Sequence, residues 1–268
     1  MTVSIIIGTY NWIEALSLCF ESVLQQTRMP DEIIIADDGS TDDTRRMIDE
    51  YRNRFSCPLI HVWQEDCGYR KARIMNKALR ECTSDYVIFI DGDIICDRHF
   101  VEDHCRIARR GYFVTGSRAN IRTEDAYRLI EKKPFKISLF TKGVERKENA
   151  IRLPFLFPIT RFSYRKKPLY GRGANMAMFM DDLKAVNGLN EDIEGYGYED
   201  VELFNRLYNL GLKRNYAKWI CIEYHIMHRR YVVTESNKKY FDETKNSITS
   251  ANGLKHIPSK ESTDKTSE

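Results

Sequence analysis

The sequence predicts an α/β fold with a Rossmann-like, mostly parallel sheet and helices on both faces. Apolar runs of four to six residues alternate with helical patterns, and two of these runs end in acidic residues. Apolar strands without polar alternation are typical of a parallel sheet that is buried on both faces. Right-handed crossovers then place the ligand crevice beyond the carboxyl ends of the strands.

Two apolar runs, each followed by a helical pattern, begin the predicted sheet. Val3 to Ile7 predicts the first strand, and the apolar spacing from Leu16 to Leu24 predicts a helix that stops near Thr27. Ile33 to Ala36 predicts the second strand. Cap-type residues precede Thr44 to Tyr51, which therefore predicts the next helix.

The alternation continues for one more cycle. Leu59 to Trp63 predicts the third strand, Gly68 to Leu79 a helix and Tyr86 to Ile90 the fourth strand. Regular alternation is lost after about Gly116, so the pattern predicts the sheet order only for the first part of the chain.

Charge and composition exclude several classes of protein. The 268 residues contain 42 Lys and Arg against 39 Asp and Glu, which argues against a nucleic-acid partner. No apolar run approaches the ~18 residues that a membrane-spanning helix needs. The first residues carry no basic leader, so no signal peptide is expected. Seven cysteines without a CxxC pair predict reduced thiols in a cytoplasmic protein.

The interval 131–172 is the most basic part of the chain. It holds twelve Lys and Arg against three Glu, a local charge of +9, and aromatic and aliphatic residues alternate with the basic ones. Such a mixture favours peripheral contact with the inner face of a membrane, or an anionic ligand. A solvated face over ordinary core residues is the alternative, and the sequence leaves it open. The last ten or so residues predict a disordered tail.

Carboxylates follow two of the predicted strands. Asp91 and Asp93 come directly after the fourth strand, with Gly92 between them. Both can reach one divalent cation, or one can hold the cation and the other a sugar hydroxyl. Taken alone, this triplet also fits an Asx-type turn. Asp38, after the second strand, can accept a hydrogen bond from a base or ribose beside a helix N-terminus.

Four ordered segments resemble the nucleotide-diphospho-sugar domain of family 2 inverting glycosyltransferases, which have the GT-A fold. They are SIIIGTYN, IIIADDGSTDDT, WQEDCGYRKARIMNKAL and YVIFIDGDIICDRHFVEDH. Two later segments, GRGANMAMF and GLNEDIEGYGYEDVELFNRL, resemble the acceptor side of galactosyltransferase-like and chondroitin-polymerase-like enzymes. The resemblance implies a nucleotide-sugar-binding half at 1–116, an acceptor-binding and catalytic half of the same domain at 117–232 and a polar extension at 233–268.

The resemblance implies a donor site in the first half. Thr9, Tyr10 and Asn11 would line the uracil or ribose pocket, and Asp38 would hydrogen-bond the base. Arg73 would project from a helix into the same crevice. The remaining implied donor residues are Arg70, which a surface ion pair would explain equally well, and Asp91, Gly92 and Asp93.

The segment GYGYEDVEL contains the implied catalytic acids. Helix-like spacing after Asp200 places Glu199 and Asp200 at a helix N-terminus, where anions are stabilised. A plain acidic cap is the alternative, but it does not account for the glycines and tyrosines just before. The resemblance implies that Asp200 takes the proton of the acceptor hydroxyl and that Glu199 helps to hold the acceptor. Tyr196 and Tyr198 would form a platform for a sugar ring.

Two histidines follow the strand-like segment KWICIEY. Imidazole can complete a manganese shell begun by carboxylates. The interval after the ED pair resembles that of the metal ligand in the family, which favours His228, with His225 as a substitute. An independent HxxH site is not expected, because no third ligand is close in sequence. The expected cofactor is Mn²⁺ or Mg²⁺, with Asp93 as the carboxylate ligand.

Three other classes of protein compete with this interpretation. A dehydrogenase needs GxGxxG after the first strand, where GTYNW stands instead. A sugar nucleotidyltransferase needs a glycine-rich, basic loop there. A non-catalytic carbohydrate- or lipid-binding module needs neither DGD nor the ED pair. The sequence therefore predicts a metal-dependent inverting glycosyltransferase, with a UDP-hexose or UDP-N-acetylhexosamine donor and a glycan or lipid-linked oligosaccharide acceptor.

Overall fold

A seven-stranded sheet and a second sheet of four strands form the frame of the molecule. The computed structural model describes residues 1–132, 135–163, 172–229 and 232–255, so the predicted tail and parts of the basic interval lie outside the described residues. The strands are β1 (Val3–Thr9), β2 (Glu32–Asp37), β3 (Leu59–Trp63), β4 (Tyr86–Asp91), β5 (Ile94–Cys96), β6 (Tyr112–Gly116), β7 (Arg118–Ile121), β8 (Val144–Glu145), β9 (Met176–Phe179), β10 (Lys213–Ala217) and β11 (Glu223–Ile226).

Helices connect most of these strands. They are α1 (Ile13–Val23), α2 (Asp42–Arg52), α3 (Lys71–Glu81), α4 (Phe100–Ile107), α5 (Thr123–Ile130), α6 (Phe157–Thr160), α7 (Met180–Ala185), α8 (Glu199–Asn209) and α9 (Glu235–Thr244). Short 3₁₀ turns lie at Lys147–Asn149, Pro154–Leu156 and Gly173–Asn175.

The central sheet has the order β10-β6-β9-β4-β1-β2-β3. All its neighbours pair in parallel except β9, which runs antiparallel to β4 and β6. The predicted mostly parallel α/β fold is confirmed. Because β9 and β10 complete this sheet from the later part of the chain, the two predicted halves share one core, and the division at 116 stays a prediction.

Strand residues alternate between two apolar cores, one on each face of the sheet. Ile5 and Ile7 pack in the cluster that includes residues of α1, α2 and α4. Ile6 points the other way, into the cluster that includes residues of α3, α7 and α8. Successive side chains of a strand alternate in direction, so an unbroken apolar run requires helices on both faces.

The predicted strand over KWICIEY, residues 218–224, is wrong. The strand in this region is β11, Glu223–Ile226, so His225 lies within a strand and not after one. Trp219 and Cys221 have φ angles of 63° and 52°, which a strand does not allow. Apolar alternation in the sequence does not reveal these two left-handed residues.

The second sheet brings the later histidines to the end of the fourth strand. Its order is β5-β11-β7-β8, and β5 begins directly after the DGD triplet. His225 pairs with Ile94 in antiparallel register, and the Ile226 N–H donates to the Asp93 carbonyl at 2.9 Å. Asp93 therefore lies next to His225 and Ile226, which are more than 130 positions later in the chain.

Candidate active site

Strands β1 and β4 present Thr9, Asp91, Gly92 and Asp93 at one edge of the sheet. Gly8 and Asp91 are register partners, and the Gly92 N–H donates to the Gly8 carbonyl at 2.7 Å. A Cβ at Gly92 would lie 3.1 Å from Thr9 Oγ1. The glycine therefore lets the DGD turn lie close against the end of β1.

Lys71 is a site residue that the sequence analysis missed. Its Nζ lies 2.5 Å from Asp91 Oδ1, and both side chains are mostly buried. Burial lowers the pKa of Lys71, but the charge of Asp91, with Tyr69 and Glu199, raises this pKa well above its usual value. Lys71 is therefore a fixed cation among the site acids. A lysine at the start of a helix that follows a strand is the only sequence signal, and it is weak.

Asp93, His225 and His228 converge on one point. The Nε2 atoms of both histidines lie 3.2 Å from Asp93 Oδ2. One ligand atom from each residue falls within 4.8 Å of the others. Although burial raises the pKa of Asp93, the hydrogen bonds from His225 and His228 lower it overall. The hydrogen bond to Asp93 raises the pKa of His228.

This cluster fits a divalent cation. Asp93 Oδ1 is buried and has no hydrogen-bond partner among the described residues, so one carboxylate oxygen remains available. His228 Nδ1 lies 2.8 Å from the Arg229 carbonyl, which places the proton on Nδ1 and leaves Nε2 as the metal-binding atom. The sequence alone did not favour His225 and His228 as an independent metal site, because no third ligand is close in sequence. In the structure Asp93 is that third candidate ligand.

We predict that both histidine variants weaken metal binding. His228→Ala should lower Mn²⁺ affinity and transfer rate strongly, and His225→Ala should do so more mildly. The reason is that a carbonyl fixes the second ring nitrogen of His228, and no such contact to His225 occurs in the part of the chain that the structure describes. Loss of a single partner that orients a metal ligand already costs roughly 10- to 100-fold in affinity. Titration of Mn²⁺ into each variant tests this order, and a larger loss in His225→Ala would reverse it.

Glu199 and Asp200 begin helix α8, as the sequence predicts. Asp200 Oδ2 accepts a hydrogen bond from the Gly173 N–H, and Oδ1 accepts one from the Val201 N–H, each at 2.7 Å. Burial raises the pKa of Asp200 despite these bonds. Burial, with the nearby charge of Asp200, raises the pKa of Glu199 to about 7. A carboxylate with a raised pKa is suited to proton transfer near neutral pH.

The turn before α8 depends on left-handed residues. Gly195 and Gly197 have φ angles of 79° and 97°, and Tyr198 has 76°. The Gly195 N–H donates to the Tyr69 carbonyl at 2.9 Å, while the ring of Tyr196 lies 5.9 Å from that of Tyr69. Tyr196 is exposed, whereas Tyr198 packs against Phe241 at 5.6 Å. Tyr196 is thus the more exposed of these two rings.

The pH dependence of transfer is the second prediction for this site. Glu199 takes up a proton at a pKa of about 7, and this uptake removes the negative charge beside Asp200 that makes Asp200 a stronger base. The rate should therefore fall as the pH is lowered through about 7. Glu199→Gln removes the group that takes up this proton, so the fall should move to the lower pH at which Asp200 itself is protonated. Rate profiles of the two proteins measure the shift. An unchanged profile in Glu199→Gln would mean that this pair does not control the rate.

The predicted donor residues lie at the ends of β1 and β2. Asp38 is buried, and its oxygens accept from the Gln64 side chain at 2.5 Å and from the Arg70 N–H at 2.8 Å. Asn11 has a φ of 45° and its Oδ1 accepts from the Thr41 N–H at 2.9 Å. Tyr10 remains about half exposed, and its hydroxyl donates to Asp66 at 2.8 Å.

Of the two predicted donor arginines, Arg73 lies in α3 and Arg70 lies just before it. Arg70 lies before α3, because its N–H is bound to Asp38 and the chain turns at Gly68, whose φ is +82°. Its guanidinium donates to the Glu65 carbonyl at 2.6 Å. Arg73 is exposed and lines a cleft with Glu191, Asp192, Glu194 and Asn252. The predicted helix start at Gly68 is therefore wrong, and donor binding by either arginine stays a prediction.

The mostly parallel sheet with acidic strand ends has the architecture of the GT-A fold, the fold of nucleotide-sugar-dependent glycosyltransferases. Residues 4–184, more than half of the chain, match Glycosyl transferase family 2. The chain therefore belongs to that family. Residues 157–229 also match the N-terminal domain of galactosyltransferase, which is the part that contains the ED pair and both histidines.

Curated relatives carry several transferase activities. The chain is 28% identical over 220 residues to validoxylamine A glucosyltransferase of Streptomyces hygroscopicus subsp. limoneus, covering 78% of this chain and 48% of that protein. It is 27% identical over 227 residues to chondroitin synthase of Pasteurella multocida, covering 78% of this chain and 23% of the synthase. The chain spans half or less of these relatives.

Solved structures confirm the GT-A fold. S. aureus TarS 1–349 in complex with UDP superposes with a TM-score of 0.62 at 16% identity, over 90% of this chain and 63% of that one. A mannosyltransferase from Pyrobaculum calidifontis in complex with GDP-Man and Mn²⁺ gives 0.58 at 18% identity, over 85% of this chain and 57% of that one.

Proposed function

We propose that this protein transfers the sugar of a UDP-hexose or UDP-N-acetylhexosamine to a glycan or lipid-linked oligosaccharide, with inversion at the anomeric carbon. The observation that carries the proposal is the proximity of a buried acid pair to the strand ends of the donor half. The Tyr69 hydroxyl donates to Glu199 Oε1 at 3.4 Å, and Lys71, two residues later, lies 2.5 Å from Asp91 Oδ1. Burial raises the pKa of Glu199 and Asp200; the charge of Lys71 opposes this rise, and that of Asp91 adds to it. The candidate base and the DGD turn therefore lie in one site.

Asp200 is the base in this mechanism. Its two oxygens are held by backbone N–H groups, so the carboxylate is fixed in position before the acceptor binds. It takes the proton of the acceptor hydroxyl as that oxygen attacks the anomeric carbon from the face opposite the leaving group. One displacement inverts the configuration, and no carboxylate nucleophile is required. Glu199 lies beside Asp200 and helps to hold the acceptor.

The donor side supplies binding and charge. Asp38 accepts from the base, and the exposed ring of Tyr10 stacks on a pyrimidine. Asp93, His225 and His228 would hold Mn²⁺ or Mg²⁺, which neutralises charge on the departing diphosphate when it is bound. Lys71 keeps Asp91 from adding a net negative charge beside that leaving group. The UDP complex of TarS, a neighbour of the same fold, supports a uridine nucleotide.

Ligand-dependent thermal stability tests the donor. We expect a UDP-hexose or UDP-N-acetylhexosamine to raise the melting temperature in the presence of Mn²⁺, because a ligand that binds only the folded state stabilises it. GDP-mannose is the matched control. Release of UDP and free sugar from the same donor separates an enzyme from a non-catalytic carbohydrate- or lipid-binding module. Stabilisation without any turnover would favour the module.

Part of the basic interval also supports contact with a membrane surface. Phe155 and Ile159, in one short helical segment, are 72% and 75% exposed, and Phe140 is 85% exposed. Exposed apolar side chains among cations suit the interface of an anionic bilayer. Within the described residues no helix is long and apolar enough to cross a membrane. We therefore propose peripheral contact with the inner face, through 131–172.

Sedimentation with vesicles tests this contact. Phe155→Ser with Ile159→Ser should weaken binding to phosphatidylglycerol vesicles, and Val232→Ser, which changes an apolar residue that is 89% exposed outside the interval, should not. Equal binding to neutral phosphatidylcholine vesicles would contradict the role of charge. Equal binding of both variants would make 131–172 a solvated face.

A further inference from the structure

A small basic pocket lies where β6 of the central sheet passes into β7 of the second sheet. Arg118, Arg146 and Arg172 line it, together with Ser117 and Asn149. The space between these side chains is about 20 Å³, which admits one oxygen atom of an anionic group while the rest of that group stays outside. The guanidinium groups favour a negatively charged ligand, and the small volume excludes a whole sugar ring.

Buried polar atoms in the pocket lack partners. Ser117 is 3% exposed, and its Oγ has no hydrogen-bond partner among the described residues. The buried Nε of Arg118 likewise has none within the described ranges. Buried donors of this kind are normally paired in native proteins, and exceptions indicate a ligand or ordered water. Both atoms belong to residues that line the pocket, so a bound oxyanion would satisfy them.

The backbone around the pocket is fixed by specific contacts. The Asn149 side chain donates to the Arg118 carbonyl at 3.0 Å, and Arg146 has a left-handed φ of 52°. A Cβ at Gly116 would lie within 2.4 Å of the Asn175 side chain, so the glycine admits that side chain beside the pocket. Ser117, the next residue, lines the pocket itself. The pocket is therefore a built feature of the fold.

Among the described residues, the lining of the pocket contains no acid, and Glu223 is the acid on the neighbouring strand. Glu223 of β11 is the register partner of Arg118, is fully buried, and interacts electrostatically with Arg118 and Arg172. One carboxyl group cannot offset the guanidinium groups of both Arg118 and Arg146, whatever its protonation state. The pocket thus carries an excess of positive charge that an anionic ligand would neutralise, and Arg binds carboxylate and phosphate in a two-point geometry.

The pocket lies on the acceptor side of the site. Arg172 directly precedes Gly173, whose N–H binds the Asp200 carboxylate. The pocket residues come from positions 116–216, and none belongs to β1, β2 or β4, whose ends form the donor crevice. Arg118 also acts electrostatically on His228 of the candidate metal cluster, so the donor diphosphate is the competing ligand. The link from Arg172 through Gly173 to Asp200 favours the acceptor.

We propose that this pocket binds a carboxylate or phosphate group of the acceptor, and that the acceptor is accordingly an acidic glycan. The inference rests on the proposed function, because it assumes that Asp200 marks the acceptor side. Arg118 and Arg146 bind the anion, Ser117 donates to it, and its position selects acceptors in which the acidic group lies near the attacking hydroxyl.

Ligand-observed NMR with simple probes tests the proposal. The protein is first saturated with UDP and diamagnetic Mg²⁺, so that the donor site is filled without broadening the probe signals. Methyl β-D-glucuronide and glycerol 3-phosphate are the carboxylate and phosphate probes, and methyl β-D-glucoside is the uncharged match. We expect at least one anionic probe to bind at least tenfold more tightly than the glucoside. Equal binding of all three would overturn the proposal.

Three variants assign the binding to the pocket. Arg118→Gln and Arg146→Gln should each weaken the anionic probe at least fivefold and change UDP affinity less than twofold. Arg128→Gln, which changes a guanidinium 57% exposed on α5 and paired with Asp125, is the matched control and should change neither. Arg118→Gln could fail to fold. Arg146→Gln would then still test the anion site, because Arg146 is exposed and its replacement should not disturb folding.

The remaining outcomes are also decisive. A fall in UDP affinity without a change in probe binding would assign the pocket to the donor diphosphate and overturn the acceptor role. Unchanged affinity for both would make the cluster structural. These results can be distinguished from a failure of the proposed function. If the unaltered protein neither bound UDP nor turned over a donor, the proposed function would fail. The pocket could still be tested, because the probes can be titrated without UDP.

Discussion

Asp200→Asn should still bind UDP and Mn²⁺ while transfer falls by roughly the 10²- to 10⁴-fold that removal of acid–base catalysis costs. The amide keeps the size of the carboxylate but has almost no basicity. The candidate metal and donor residues come from the ends of other elements, so their geometry should not change. Isothermal titration of UDP with Mn²⁺, beside initial rates on a competent acceptor, measures both effects.

A modest loss of stability is also expected in Asp200→Asn. Both oxygens of Asp200 accept a backbone N–H, and an amide can present an oxygen to only one of them. An unpaired buried donor costs about 1–3 kcal/mol. A lower melting temperature therefore does not distinguish a base from a helix cap, and only the rate does.

Asp182→Asn is the matched control. Asp182 is also an acid in the first turn of a helix, α7, and burial likewise raises its pKa. Its variant should keep both its rate and its stability, because Asp182 Oδ2 has no hydrogen-bond partner among the described residues and the amide removes a buried charge. If Asp200→Asn retained full turnover, Glu199 would be the next candidate base, and full turnover in Glu199→Gln as well would make the ED pair structural.

Asp93→Asn should abolish metal-dependent transfer and leave the fold intact. The amide keeps the shape of the side chain but loses the charge that a divalent cation requires, and hard cations prefer charged oxygen ligands. We expect Mn²⁺ affinity to fall by more than the roughly 10- to 100-fold that loss of an outer-shell partner costs. Calorimetric titration of Mn²⁺ and rates across a Mn²⁺ series test this.

Asp97→Asn serves as the control for Asp93→Asn. Asp97 lies just beyond β5, and its Oδ1 accepts from the His99 N–H at 3.0 Å, so it belongs to a turn outside the cluster. Its variant should retain metal affinity. Near-normal turnover of Asp93→Asn with Mn²⁺ would contradict the assignment of the DGD turn to the metal, and DGD would then be the Asx-type turn that the sequence left open.

Local patterns were sufficient for the first half of the fold. Leu59–Trp63 is a strand at its predicted bounds, and the Val3, Ile33 and Tyr86 strands differ by at most two residues at either end. These segments are apolar without a break because both faces are buried, so composition alone identifies them. The start of α3 could not be predicted, because it depends on a hydrogen bond between Arg70 and Asp38 that joins distant segments.

By itself the sequence determined the fold class, the acidic strand ends and the ED pair at a helix start, because each is encoded within a few neighbouring residues. Only the tertiary structure decided which groups meet. Sheet pairing places His225 and His228 against Asp93, and packing of α3 places Lys71 against Asp91. It also gathers Arg118, Arg146 and Arg172 around one pocket. Such contacts join residues far apart in the chain, and no local pattern records which distant partner a side chain will have.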